Sequence, residues 1–426
     1  MNRLYCFYVL FLCVYFADAQ VSVSSSGTSP DASAMFDVIS TSKGMLCPRM
    51  TKANRALIPS PAHSLMIYQT DNSPGYYYNN GSPGSPQWVK LETNLSSLDH
   101  IGRTPIDTIP YVISSRGSYY LTKSVTSSTG ITINASNVSI DLNGHTIQGS
   151  VGNTSAGIST PNPQSNISIA NGFIVSWGKE GINTSNSSSC TFSNLMVSSC
   201  ALDGIYSGKN TNGSDLIVRN NVFDGIDFGE SSIITHSVAE ANQSDGFELD
   251  QGAVLNDCSA KSNIGVGIKC TSVATLTNCA AYLNTSHGFQ CGNGSVVTAN
   301  TAASNGGSGF SILASCNVRG NSSRSNSNHG YDVQGNDNVL TGNIAQSNLL
   351  SGFQTVFNRN QFESNTASFN SGNGYDITGT GCLVIKNTAS NNTTSAFLVG
   401  VGNIYVTPIT VVNINTNTNP NANISF

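Results

Sequence analysis

Gly followed by Ile, Phe or Tyr recurs at Gly204, Gly225, Gly246, Gly267, Gly288, Gly309, Gly330, Gly352 and Gly374. The spacing is 21 residues six times and then 22 twice. Four residues before each Gly from the second onward stands Asn: Asn221, Asn242, Asn263, Asn284, Asn305, Asn326, Asn348 and Asn370, with Cys200 in that place in the first unit. The pattern continues at Asn392 with Ala396-Phe397, and is preceded by Gly157-Ile158 and Gly181-Ile182 at spacings of 24 and 23. Within each unit apolar and polar residues alternate. Ile205, Ile226, Phe247, Ile268, Phe289, Phe310, Tyr331, Phe353 and Tyr375 form one inward column. Leu249, Cys270, Cys291, Ile312, Val333, Thr355 and Ile377 form a second, two residues on. A period of two predicts strands, and a fixed repeat of this length predicts a solenoid with one coil per unit.

Equivalent residues of successive coils then stack at the inter-strand spacing, roughly 4.8 Å, and about a dozen coils make a rod of roughly 55–60 Å. The Asn column is expected to face inward as a ladder of side-chain amides that satisfies buried backbone groups at a turn. The Gly column is expected where the backbone needs a positive φ. The stacking also orders the cysteines. Cys270 and Cys291 are neighbours in the core column, Cys258 and Cys279 are neighbours five residues before the Asn column, and Cys190, Cys316 and Cys382 share a third column. Small buried thiols are the expected state, with disulfides between stacked neighbours left open.

The pattern changes at both ends. Residues 1–19 read as a secretory leader, with Arg3, the apolar run 4–16 and Ala17-Asp18-Ala19 as the cleavage flank. The mature chain would start at Gln20 and be secreted or held at the cell surface. Residues 20–92 read as a small β-rich module, in which Leu65–Gln69 and Gly75–Tyr78 are joined by a turn at Asp71-Asn72-Ser73-Pro74. Trp88 with Tyr76, Tyr77 and Tyr78 reads as that module's own core, with a sugar-stacking platform as the alternative. Residues 93–110 read as a linker, 111–405 as the solenoid, and 406–426 as a polar tail or thin cap. Asn-x-Ser/Thr sequons follow from the composition and are given little weight.

Composition sharpens this picture. Ser, Asn, Thr and Gly dominate, yet 17 Phe and 15 Tyr accompany a net charge of only −5, which separates the chain from disordered sequences. A weakly acidic chain gives no support for nucleic acid or an anionic membrane as partner, and no apolar run after the leader is long enough to insert in a bilayer. Eleven Cys less Cys6 and Cys13 leaves nine, with no C-x-x-C pair, so neither zinc nor a disulfide scaffold is indicated.

Charge is concentrated in one place. Between Ala201 and Asp250 lie nine carboxylates against Lys209 and Arg219, a local net charge of −7. Stacking aligns Asp203, Asp224 and Asp245 in the residue before the Gly, and Asp227 with Glu248 two residues after it, where Lys269 follows. Like charges about one strand spacing apart repel, so some hold protons or a cation sits among them. Hard oxygen ligands suit Ca²⁺, making Asp203, Asp224, Asp227, Asp245 and Glu248 candidate metal ligands. A solvated acidic face is the bland alternative. Arg219, Glu240 and Lys261 share a column as a surface salt-bridge ladder, and His287 and His329 read as isolated surface histidines.

The coil 335-GNDNVLTGNIAQSNLLSGF-353 and the opening 131-ITINASNVSIDLNGHTIQG-149 resemble those of right-handed parallel β-helix proteins of the pectate-lyase-like superfamily, with NosD-type carbohydrate-binding and sugar-hydrolysis repeats nearest. The resemblance covers roughly residues 110–405 and implies an all-β fold: a right-handed, single-stranded parallel β-helix of about 21–22 residues per coil. Residues 30–92 resemble an N-terminal module of secreted Bacteroidetes-type proteins and phage tail fibres, which implies a homo-oligomer. One scaffold serves lyases, hydrolases, epimerases and non-enzymes, so the fold alone does not settle function. Pectate lyases of the superfamily bind Ca²⁺ at such an acidic site. Asp245-Gly246-Phe247-Glu248 is similar to the Asp-Asp-Gly-x-Asp turn of one lyase family, but Ser244 replaces the first Asp and Glu248 the last. No Lys occupies the matching base position, and Lys269, one coil on, is the catalytic candidate. No polygalacturonase-type set of carboxylates, His and Arg-x-Lys is present.

Three functions follow as expectations: a non-catalytic β-helix that binds polysaccharide or a cell-surface glycan along one face, a Ca²⁺-dependent polysaccharide lyase at the 203–250 patch, or a structural fibre. The uniform coils leave little room for the long loops that wall a catalytic groove, which favours the first.

Overall fold

The computed structural model describes residues 20–91, 102–410 and 419–426. Residues 1–19, read as the leader, and the first half of the stretch read as linker, to residue 101, lie outside these. The chain divides into two units, 1–101 and 102–426.

The first unit holds little apolar core. Strands Val21–Ser24 and Phe36–Ile39 pair in parallel, and a separate sheet orders Arg49–Met50, Met66–Gln69, Gly75–Asn79 and Trp88–Lys90. Met66–Gln69 and Gly75–Asn79 form the expected antiparallel hairpin, Gln69 opposite Gly75. Thr51 caps the short helix Lys52–Ala56 by accepting from the Asn54 N–H. The Arg55 guanidinium lies over Tyr77 at 4.5 Å and Trp88 at 5.4 Å, so these rings pack within the module. Ile67 is the one fully buried apolar side chain among the described residues of this unit, while Met35, Phe36, Leu46 and Leu57 stand exposed.

The second unit is a parallel β-helix. A 14-stranded sheet runs from Tyr111–Ile113 to Phe397–Val399, and a 26-stranded sheet bends to supply the other two sides of each coil. In one typical coil Phe247–Leu249 lies in the first sheet, and Val254–Asn256 and Ser259–Lys261 in the second. The registers place Ile226 beside Phe247, Phe247 beside Ile268, and Cys270 beside Cys291. Fourteen strands exceed the dozen coils expected. The two extra strands, Tyr111–Ile113 and Ile131–Ile133, precede the first Gly of the repeat, and the solenoid begins earlier still: Thr104–Ile106, inside the stretch read as linker, pairs with Gly117–Leu121 in the other sheet, and Ile106 is fully buried.

Phe289, Phe310, Tyr331, Phe353, Tyr375 and Phe397 stack as one internal column, with centroids 4.7–4.9 Å apart and planes within 9° of parallel. Parallel strands in exact register force like side chains to superpose, so flat rings tile without voids.

The Asn ladder forms. Asn242 Nδ2 donates to Asn263 Oδ1 at 3.0 Å and to the Val218 carbonyl at 3.3 Å, and Asn263 Oδ1 also accepts the Asn242 N–H at 3.0 Å. The series begins at the Cys200 N–H, which donates to Asn221 Oδ1, and ends at Asn392. A second ladder, Asn300–Asn321–Asn343–Asn365–Asn387, continues the Cys258–Cys279 column and was not read from the sequence. Its last rung is Asn423, reached across 36 residues, with Ile424–Ser425 pairing on Thr388–Ser390. Residues 419–426 thus cover the final coil.

The Gly column departs from expectation. None of its members has positive φ; the left-handed residue is the one before each Asn, such as Ala241, Ser262, Leu283 and Phe369. Glycine is required by close approach instead. A Cβ on Gly246 would lie 2.7 Å from Asn263 Nδ2, 2.5 Å from the Gly267 carbonyl and 3.1 Å from Ala260 Cβ. The nine cysteines from Cys47 to Cys382 are thiols, eight of them buried, and the Cys258 and Cys279 thiols donate to the Asn256 and Thr277 carbonyls at 3.3 and 3.2 Å.

Candidate functional site

The residue before each Gly turns into the 14-stranded sheet, and at Asp203, Asp224, Asp245, His287, His329 and Ser351 its side chain caps a backbone N–H of the next coil. Asp203 Oδ1 accepts the Asp224 N–H at 2.9 Å, Asp224 Oδ1 accepts the Asp245 N–H at 2.6 Å, and Asp245 Oδ1 accepts the Val266 N–H at 2.6 Å. His287 Nδ1 and His329 Nδ1 accept from Ser308 and Ser351 in the same way, so these are rungs of a capping file and not isolated surface histidines. Asp224 and Asp245 are 8% exposed, which corrects the expectation of a freely solvated face at these two positions. Glu180 precedes Gly181 and stands in the corresponding place one coil before Asp203, without a cap of its own. It was not singled out from the sequence, although the 23-residue step from Gly181 to Gly204 marks its place.

The sheet's outward column brings Tyr206, Asp227, Glu248 and Lys269 into register. Lys269 Nζ lies 2.8 Å from Glu248 Oε1 and 3.3 Å from Asp245 Oδ2. Burial alone would lower the proton affinity of Lys269, but the Glu248 hydrogen bond and the Asp245 and Glu248 charges raise it, so the ammonium stays charged. Of the five candidate ligands, Asp224, Asp245 and Glu248 bring oxygens within 4.8 Å of one another, whereas Asp203 and Asp227 fall outside that group. Lys269 bridges two of the three.

On the other side of Glu248 opens a trough of about 660 Å³, lined by Tyr206, Lys209, Asp227, Glu230, Glu248 and Asp250. Its far wall is Pro163-Gln164 and Ser185–Ser188. These wall residues belong to the two long coils, those with steps of 24 and 23 residues, which carry three and two residues beyond the regular 21. The extra residues make the loop that the regular coils lack, so the expectation that the repeat leaves no groove holds only downstream of the patch. A second hollow of about 380 Å³ shares Ser185 and Asn186 with the trough and is lined by Glu180 and Lys179.

Four aspartates here, Asp203, Asp224, Asp227 and Asp250, hold protons more tightly than usual. Burial raises Asp227 to about 7, helped by the charges of Glu248, Asp203, Asp224 and Asp250. Burial also raises Asp224 to about 6, a Ser244 hydrogen bond offsetting part of the effect. Asp203 and Asp250 are raised, each chiefly by burial, and the Tyr206 phenol rises through burial and the Asp227 charge. A cleft that gathers groups titrating near neutrality is a functional-site candidate on physical grounds. Away from it, Lys261 pairs with Glu240 at 3.1 Å, while Arg219 turns to the Met196 sulfur at 3.7 Å, so the third surface column forms one ion pair and not a ladder.

Residues 25–104 match the family described as Phage tail like trimerisation region. No curated protein matches the chain. Among solved structures, the A-module of the mannuronan C-5 epimerase AlgE4 of Azotobacter vinelandii is 15% identical, covering 72% of this chain and 92% of that one at a TM-score of 0.46. The tailspike protein gp49 of the Acinetobacter baumannii bacteriophage Fri1, titled a capsular polysaccharide depolymerase, is 11% identical over 75% of this chain and 72% of that one, TM-score 0.36. The pectate lyase Pel9A is 14% identical over 84% and 79%, TM-score 0.29.

Proposed function

We propose that this parallel β-helix is a secreted or surface-displayed, oligomeric protein that binds polysaccharide in the trough, without itself catalysing a reaction. The trough carries the reading. It is lined mostly by polar side chains that can exchange hydrogen bonds with sugar hydroxyls, and by Tyr206 of the 14-stranded sheet. Against catalysis stands Lys269, whose ammonium is held by Asp245 and Glu248 and is not free to take a proton. Among the described residues no helix is long and apolar enough to cross a membrane. Glycan-array binding tests the proposal. Binding that weakens at least tenfold in Tyr206→Ala is expected, and no binding to any polysaccharide overturns it.

The oligomer is proposed from the match at residues 25–104 together with the apolar surface of residues 21–91, which one copy leaves exposed. Sedimentation of the full chain is expected to give a trimer; a monomer at micromolar concentration refutes it.

A second reading, a Ca²⁺-dependent lyase, is favoured by one observation, the proximity of Asp224, Asp245 and Glu248. The fit is poor while Lys269 is present. Asp224 and Asp245 each spend Oδ1 on a backbone N–H, and the ammonium takes Asp245 Oδ2 and Glu248 Oε1. Ca²⁺ seeks about six to eight oxygens and would have to displace it. Release of unsaturated uronides from pectate that stops on chelation would establish this reading over the first.

A further inference from the structure

Resting on the oligomer proposed above, the surface of the first unit points to the contact that builds it. Strands Val21–Ser24 and Phe36–Ile39 pair in parallel, with Val21 beside Phe36 and Val23 beside Val38. Alternation puts these four side chains on one face of the ribbon and Ser22, Ser24, Asp37 and Ile39 on the other. The ribbon's polar groups find partners within the copy. The Val21 N–H donates to the Met35 carbonyl at 2.9 Å, the Asp31 N–H to Asp37 Oδ2 at 2.9 Å, and Gln20 Nε2 to the Asp31 and Ala32 carbonyls at 3.3 and 3.2 Å. The apolar face finds none: Val21 and Val23 are 54% exposed and Phe36 57%. A two-stranded ribbon is marginal in water by itself, and parallel sheets occur with both faces covered.

The unit's other sheet also leaves one face open. Its registers place Met66 beside Tyr78, Tyr68 beside Tyr76 and Tyr78 beside Val89, all on one side. Arg55 covers the opposite side, over Tyr77 and Trp88. Met66, Tyr76 and Val89 are exposed, and a hollow of about 260 Å³ opens at Tyr68 and Tyr76, with Leu46 and Arg49 at its rim. Neither open face covers the other within one copy. A threefold ring joins two different patches, one from each neighbour, and closes when every copy supplies both. We infer that the ribbon face of one copy seats on the Met66–Tyr76–Val89 face of the next, so that three equal contacts cover all the open faces. Phe36, the largest side chain of the ribbon face, enters the hollow at Tyr68 and Tyr76, where the Arg49 guanidinium can lie over its ring. Ribbons meeting one another on the axis would leave the Met66 face bare.

The test uses the full mature chain. In sedimentation at micromolar concentration, Val23→Asp and Phe36→Asp from one side of the contact and Tyr76→Asp from the other are each expected to weaken the trimer at least about tenfold. Ile39→Asp, the same change on the ribbon's opposite face, is expected to leave it intact. All four positions are exposed in a single copy, so these changes act on the contact and not on the copy's own packing. Cross-linking reads the contact directly. With Cys47→Ser throughout, co-expressed chains carrying Phe36→Cys and Tyr76→Cys are expected to form a mixed disulfide under mild oxidation, and neither kind of chain alone is expected to do so. A monomeric parent overturns both this contact and the oligomer, and a parental dimer overturns the ring. A parental trimer that survives Val23→Asp and Phe36→Asp, or that Ile39→Asp breaks equally, overturns the contact and leaves the oligomer standing. Phe36→Cys chains that cross-link with one another place the ribbons on the axis and overturn their seat on the sheet.

Discussion

Asn242 and Asn263 are 21 residues apart in sequence, yet Nδ2 of the first donates to Oδ1 of the second at 3.0 Å, and both are fully buried. Each rung satisfies the side chain before it and the backbone N–H beside it. Asn263→Ala would strand the Asn242 N–H and take one of the two acceptors of its amide, leaving only the Val218 carbonyl. The expected loss is roughly 2–4 kcal/mol. Because coils interact mainly with their neighbours, hydrogen exchange should show protection lost first across residues 239–284 and retained in the aromatic stack around Tyr331 and Phe353.

Gly246 and Leu283 test the corrected account of the turn. Gly246→Ala is expected to destabilise by several kcal/mol although its φ is ordinary, because the new methyl meets a carbonyl and the ladder amide. Leu283→Gly should do the opposite, since Leu283 has φ 59° and is 54% exposed. A gain of about 0.5–1 kcal/mol in urea denaturation is expected. Stabilisation by Gly246→Ala would show that the position has room for a methyl group and would overturn the close-approach account.

Asp227 ties stability to pH. Its folded-state value of about 7 lies above the ordinary 3.8, so the folded form keeps a proton that the unfolded form has already released. Stability from this group is therefore present at low pH and is lost as pH rises from about 4 to about 7, by up to about 3–4 kcal/mol. Asp224, raised to about 6, acts in the same direction. Melting is expected at a lower temperature near about pH 8 than near about pH 5. Asp227→Asn should flatten much of that slope, and an unchanged slope would assign it to other groups.

Lys269 is the cation of the acidic cluster. Lys269→Met removes it and leaves Asp245 and Glu248 facing each other, at an expected cost of about 2 kcal/mol near neutral pH, between that of an exposed and a buried pair. Millimolar Ca²⁺ is then expected to raise the melting temperature of the variant and leave the parent unmoved. A clear Ca²⁺-dependent rise in the parent would show that the ion displaces the ammonium.

The strict 21-residue step, the alternation around Phe247 and Leu249, and the Asn column told the fold from sequence alone. Each coil repeats the same local problem of strand, turn and strand, and a parallel stack in register turns sequence period directly into spatial column. By the same route the alignment of Asp203 with Asp224 and Asp245, and of Asp227 with Glu248, could be written down before any coordinates. What the tertiary structure decided was orientation and enclosure. Whether Asp245 faces water or caps the Val266 N–H, and whether Lys269 stands apart or bridges Asp245 and Glu248, depends on which way the chain bends at each corner. That in turn depends on a left-handed residue such as Ala241, whose identity announces nothing. The groove lay further out of reach. It exists because two irregular coils lay Pro163 and Ser185–Ser188 beside residues from the coils that follow, and a periodic pattern carries no information about where its exceptions fold back.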